Sequence, residues 1–169
     1  MRRRLAALLL CANIGQAIAG EPSYPTASAM IVDTCPYVEI TSFRFGNKTD
    51  LGKDRHHESL SWVNRGSQPL IAFEVTIVRF DAFNRAMPTI RWTVTGRNST
   101  DWSPLPPGES SGDGLLGAPS EEVFTAISYV SAARLADNSV WLVDEKELPS
   151  KLQKVTPPQT VKPQSQAKH

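Results

Sequence analysis

Apolar side chains fall on alternate positions at Ile71, Phe73, Val75 and Ile77, with Ala72, Glu74 and Thr76 between them. That is the period of a strand with one buried face. Leu60 and Trp62 alternate with Ser59 and Ser61 just upstream, and the run from Asn64 to Pro69 is made of turn formers, so the segment reads as strand, connection, strand. Beyond Ile77 the alternation slips, because Val78 and Phe80 are apolar where Glu74 and Thr76 faced water. A bulge or burial on both faces is expected there. Ile90, Trp92 and Val94 alternate with Arg91, Thr93 and Thr95, a half-exposed strand closed by Gly96-Arg97-Asn98-Ser99.

The remaining elements follow from composition as much as from period. Residues 37–45 are rich in aromatic and β-branched side chains and predict the first strand, ended by the turn formers of 46–50. Residues 104–117 read as loop, with Pro106-Pro107-Gly108 as a turn. Residues 120–137 support two readings. Ser120 can cap a helix whose first turn holds Glu121 and Glu122, or the Val, Phe, Thr, Ile and Tyr residues from Val123 to Leu135 can form a strand. Asp137-Asn138-Ser139 is a tight turn and 140–143 a closing hairpin strand. Short strands between turn signals, without alternating helices, predict an all-β, single antiparallel β-sandwich over residues 35–148.

Several short motifs give that expectation a more definite form: Asn64 to Asp81, then Leu105-Pro106-Pro107-Gly108-Glu109-Ser110, then Tyr129-Val130, and Leu135-Ala136-Asp137-Asn138-Ser139-Val140-Trp141. Together they resemble the small immunoglobulin- or fibronectin-III-like domains of uncharacterised bacterial secreted proteins. The resemblance covers most of residues 60–145 and implies an immunoglobulin-like fold more than any activity. Two positions depart from the pattern, Asn138 where glycine is usual and Ala133 where a larger residue is usual. Asparagine tolerates a positive φ, so the first departure is mild.

The two ends read differently from the middle. Three arginines, an apolar run from Leu5 and the small-residue step Ala17-Ile18-Ala19 make residues 1–19 a cleavable secretory signal peptide. The run is too short and too interrupted for a membrane span. Residues 20–34 then form a leader, and residues 149–169, with four prolines interleaved with Gln and Lys, a disordered tail. The expected location is periplasmic or secreted. Signal removal also changes the charge, because the formal +1 of the chain includes Arg2, Arg3 and Arg4, while residues 21–148 hold 11 basic against 17 acidic side chains. An acidic exported domain disfavours nucleic acid as a partner. The basic tail offers a weak contact with anionic envelope polymers.

Candidate chemistry is sparse. After cleavage Cys35 is the one remaining thiol, in an oxidising compartment, so it is either a small buried hydrophobe, a reactive thiol or half of an intermolecular bridge. A Cys35 nucleophile with His56 or His57 as base has the right residue types and no geometry behind it. Gly108-Glu109-Ser110-Ser111-Gly112 matches the hydrolase elbow pattern but lacks the strand before it and the helix after it. Asp54-Arg55-His56-His57-Glu58 is the cluster with metal-ligand character, and its reading as a loop would let His56, His57 and Glu58 hold zinc, copper or nickel. Asn47-Lys48-Thr49 and Asn98-Ser99-Thr100 fit the glycosylation pattern and mark surface turns. Arg91, Trp92, Arg97 and Trp102 combine guanidinium and indole groups near one strand end, the composition of a binding surface.

The sequence thus supports an exported, non-enzymatic binding or adaptor domain without a cofactor, with a protein partner in the envelope or outside it. The alternatives are a small metal-dependent enzyme or metal carrier built on His56, His57 and Glu58, and a structural envelope spacer.

Overall fold

The computed structural model describes residues 28–50, 53–116 and 123–156, apart from the side chains of 47–50 and 53–56. Residues 1–27, which hold the expected signal peptide and most of the expected leader, and residues 157–169 lie outside the described residues, as does the expected cap at Ser120. Eight strands and a short helix follow in order: β1 (Ser28–Ile31), β2 (Val38–Asp50), β3 (Lys53–Asn64), β4 (Leu70–Phe80), β5 (Ala86–Thr95), β6 (Ser110–Leu116), β7 (Thr125–Leu135), β8 (Val140–Leu142) and α1 (Leu148–Gln153). They form two sheets. The first runs β1-β7-β4-β5, with β8 also paired to β7; the second runs β2-β3-β6.

One cluster of buried side chains draws on both sheets. Val38, Ile40, Phe43, Leu60 and Trp62 come from the second sheet, while Phe73, Val75, Ile77, Val94, Ala126, Val130 and Ala133 come from the first. Trp62 meets Phe73 edge-on, with ring centroids 5.0 Å apart and an interplanar angle of 64°. An edge-to-face aromatic pair adds to the burial it already provides. The alternation of β4 puts Phe73, Val75 and Ile77 into this core, as its sequence period predicts.

The slip after Ile77 has a definite cause. The β4–β5 register shifts between Ile77 and Arg79, and Phe80 joins a second cluster with Val32, Ile127 and Tyr129. That cluster is covered by Leu148, Leu152 and Val155, along with Met30, Val78 and Val143. β7 is therefore buried on both faces over most of its length, and Thr125–Leu135 is strand rather than helix.

Four expectations are corrected. β1 lies in the stretch read as leader, and it pairs with β7 in parallel, Ser28 opposite Thr125 through Ile31 opposite Ser128, so the sheets are not purely antiparallel. Residues 110–116, read as loop, are strand β6, paired with β3 from Leu116 opposite His57 to Ser110 opposite Val63. Ser-Ser-Gly-Asp-Gly has poor strand propensity, and the ladder to β3 overrides it. The hairpin of β2 and β3 is longer than expected and takes His56, His57 and Glu58 into a strand. The tail does not begin as disorder at 149, because α1 and Val155 dock on the first sheet.

Candidate functional site

Three connections gather at one end of the two sheets: 65–69 between β3 and β4, 96–109 between β5 and β6, and 136–139 between β7 and β8. Asn64 ties the first two together. Its side chain is fully buried, and Nδ2 donates to the carbonyls of Gln68 and Leu105, both at 2.8 Å, while Oδ1 accepts from the Gly66 amide at 2.9 Å. The third connection joins through Gln68 Nε2, which donates to Asp137 at 3.0 Å, and through the Ala136 amide, which donates to the Pro69 carbonyl at 3.0 Å. Asn138 adopts a φ of 65°, the left-handed turn its residue type tolerates. The end of the molecule is a braced platform rather than three separate loops.

Trp102 stands on that platform, 74% exposed. The main chain on either side of it is tied down. Asp101 Oδ1 accepts from the Ser103 amide at 3.0 Å and from its hydroxyl at 2.6 Å, so the chain is pinched on either side of Trp102. Asn98 Oδ1 accepts from the amides of Thr100 and Asp101, and Ser99 is anchored to Asp113 on β6 through its amide at 2.6 Å and hydroxyl at 3.0 Å. Arg97 bridges Glu109 at 2.6 Å and Asp101 at 3.4 Å. The Ser103 hydroxyl and amide, with Arg97 nearby, hold the Asp101 carboxyl below the usual carboxylate range. Gly96 fixes the loop from beneath: its φ is +74°, and a Cβ there would lie 2.4–2.6 Å from the Trp102 backbone.

The predicted four-residue surface is divided by this arrangement. Arg91 lies exposed on the outer face of β5, whereas Trp92, next in the strand, packs against the core. Arg97 is engaged in ion pairs that shape the loop, and Trp102 is the member displayed to solvent. Strand alternation makes Arg91 and Trp92 partners on one surface impossible.

The other candidates are also placed. Cys35 is fully buried, burial pushes its thiol pKa up, and its sulfur accepts from the Tyr37 amide at 3.4 Å, which is the setting of a packed hydrophobe. Arg65 reaches back to the Cys35 carbonyl and grips Asp33 with both terminal nitrogens, at 2.6 and 3.0 Å. His57 and Glu58 are consecutive in β3 and so face opposite ways: Glu58 turns inward, 1% exposed, and the His57 ring lies beside Gly114 of β6. The His56 side chain lies outside the described residues. Among the described residues no group of three or more His, Cys, Asp or Glu side chains is placed to hold a metal ion. The serine of the elbow-like motif, Ser110, opens strand β6 and is followed directly by strand, where the elbow needs a helix.

Sequence reading missed Asn64 as a brace and Asp113 as an anchor. A buried asparagine at a strand end before a turn was legible as a motif, but its partners at Leu105 and Gln68 are visible only when the connections meet.

No protein-family model matches the sequence, and no curated protein does. A hypothetical protein of Peptoclostridium difficile 630, solved by X-ray crystallography, is similar in structure, with a TM-score of 0.51 and 12% identity over 71% of this chain and 91% of that one. At that identity the likeness concerns the fold alone. Among the described residues no helix is long and apolar enough to cross a membrane.

Proposed function

We propose that this protein is an exported, non-enzymatic binding domain of the immunoglobulin or fibronectin-III kind, which recognises a partner in the cell envelope or outside it through the platform that carries Trp102. The fold part of this reading is supported by strand pairing. If β2 to β8 are taken as A, B, C, C′, E, F and G, the second sheet has the order A-B-E and the first the order C′-C-F-G, as in such sandwiches, with β1 added. Export is supported by the signal-like residues 1–19.

The observation that carries the functional part is a single tryptophan, 74% exposed, on a loop whose flanking residues are fixed by hydrogen bonds and ion pairs. An aromatic side chain with two χ angles on a fixed backbone loses little entropy when buried by a partner, and tryptophan is enriched among interface hot spots. In-cell cross-linking and pull-down of the mature protein, compared with Trp102→Ala, tests it. Capture should fall by about thirtyfold, the effect of a hot-spot loss near 2 kcal/mol. Undiminished capture by a variant of unchanged stability would refute the reading.

A further inference from the structure

The chain crosses from the first sheet to the second between Ile31 and Val38, and there it leaves a pocket of about 120 Å³ between the two layers. Ile31, Val38, Ile40 and Val130 wall it, and Asp33 and Glu39 contribute carboxylates. The crossover is pinned along β7, since the Val32 amide donates to the Ser128 carbonyl at 2.9 Å and Thr34 Oγ1 to the Val130 carbonyl at 2.6 Å. This volume is far below the roughly 300–1,000 Å³ of pockets that hold metabolites or cofactors. One aliphatic side chain fits it.

What lies beside the pocket decides which kind of molecule would bring that side chain. Among the described residues β2 pairs with β3 alone, so it is the edge of its sheet and turns a row of main-chain donors and acceptors outward. An apolar hole against an open strand edge suits an extended peptide that adds to the sheet. The register of β2 shifts between Ile40 and Ser42, which ends the straight edge near the pocket and limits the added segment to a few residues.

We infer that the outer edge of β2, beside this pocket, binds a short extended segment of a partner protein in which an aliphatic residue is followed or preceded directly by lysine or arginine. The pleat dictates the pattern. In a strand added beside β2, the residue opposite Ile40 turns inward with it, to the pocket, and the neighbour opposite Glu39 turns outward beside that exposed carboxylate. Arg65 is bonded to Asp33 and reaches Glu39 only through space, so Glu39 is the carboxylate left to select the basic neighbour. This site is joined to the platform through Arg65, which bonds Asp33, but it makes no use of Trp102.

The test is a titration of the full-length ¹⁵N-labelled protein with the blocked peptide STVKTS, its charge-reversed form STVETS and its truncated form STGKTS. STVKTS should shift amides of residues 31–40 and of Val130, bind about fivefold more tightly than STVETS, and bind about tenfold more tightly than STGKTS. Glu39→Lys, a surface change, should invert the preference between the two charged peptides, while Trp102→Ala should leave the binding of STVKTS unaltered. Saturable shifts centred elsewhere, a preference indifferent to Glu39→Lys, or no binding at millimolar peptide would each overturn the inference. The same amides shifting when the protein alone is concentrated would assign the cleft to a second copy, and would overturn it too.

Discussion

Replacing Asn64 by alanine removes the brace of the candidate binding platform, and the structure sets the size of the effect. Three side-chain hydrogen bonds disappear, those to Gly66, Gln68 and Leu105. The Leu105 carbonyl keeps a partner, since it also accepts from the Leu70 amide at 2.9 Å. Gly66 and Gln68 are half-buried, so water reaches the groups left behind. At about 1 kcal/mol net for each bond, Asn64→Ala should lose about 3 kcal/mol, with the full cost of a dry, unpaired amide avoided. That is a large share of the roughly 5–15 kcal/mol of a typical domain, and the protein still folds. Urea unfolding followed by far-UV circular dichroism measures it: the midpoint should fall with the slope unchanged. Asn64→Leu, which keeps most of the volume, should lose a similar amount if hydrogen bonding is the cause. A loss below about 1 kcal/mol in both variants would refute the reasoning. It would mean that the main-chain bonds of Asn64 with Glu109 and Gly108, at 3.0 and 2.7 Å, hold the connections by themselves.

Further outcomes are expected elsewhere in the molecule. Gly96→Ala should lose more than about 1 kcal/mol from its left-handed φ alone, with displacement of the Trp102 loop added, read as a lower melting temperature and a changed tryptophan emission. Lowering the pH should loosen the platform: hydrogen bonds from Ser103 and Ser139 depress the carboxyls of Asp101 and Asp137, so their contribution is complete above the ordinary carboxylate range and is lost as pH falls through the depressed values. Emission that is flat down to pH 2 would contradict this. The Cys35 thiol should resist a thiol reagent in the native protein and react in urea, and because burial raises its pKa, stability should decline as pH rises past the ordinary thiol value of 9.0, where the unfolded chain sheds the proton first. A chain ending at Glu147 should bind a hydrophobic dye and lose about 2–3 kcal/mol relative to one ending at Thr156, because Leu148, Leu152 and Val155 cover Phe80, Ile127 and Tyr129; equal stability would show that α1 adds nothing.

The strands were legible wherever side chains alternate by themselves. Phe73, Val75 and Ile77 carry the period of β4 openly, and Trp62 and Trp92 follow the same logic in β3 and β5. The same alternation held the answer to one candidate surface, because Arg91 and Trp92 are adjacent in a strand and must part. The slip at Val78 and Phe80 signalled that a second face was buried, although not what buries it.

What only the tertiary structure decided has one physical source, which is pairing between segments distant in the chain. β6 is a strand because β3 offers its edge to a glycine-rich segment whose own propensity is low, and β1 runs parallel to β7 because the crossover at 32–37 delivers it there. The helix α1 has few apolar residues to signal itself, and it is placed by a patch on β4 and β7 that no local window contains. Cys35 could be read as a buried hydrophobe from its residue type, whereas the exposure of Trp102 follows from hydrogen bonds among Asn98, Asp101 and Ser103 and an anchor on Asp113. By itself the sequence determined which segments are strands with a buried face, since alternation is a local property. The meeting of three connections at Asn64, and the pocket between β1 and β2, exist only once the two sheets are stacked.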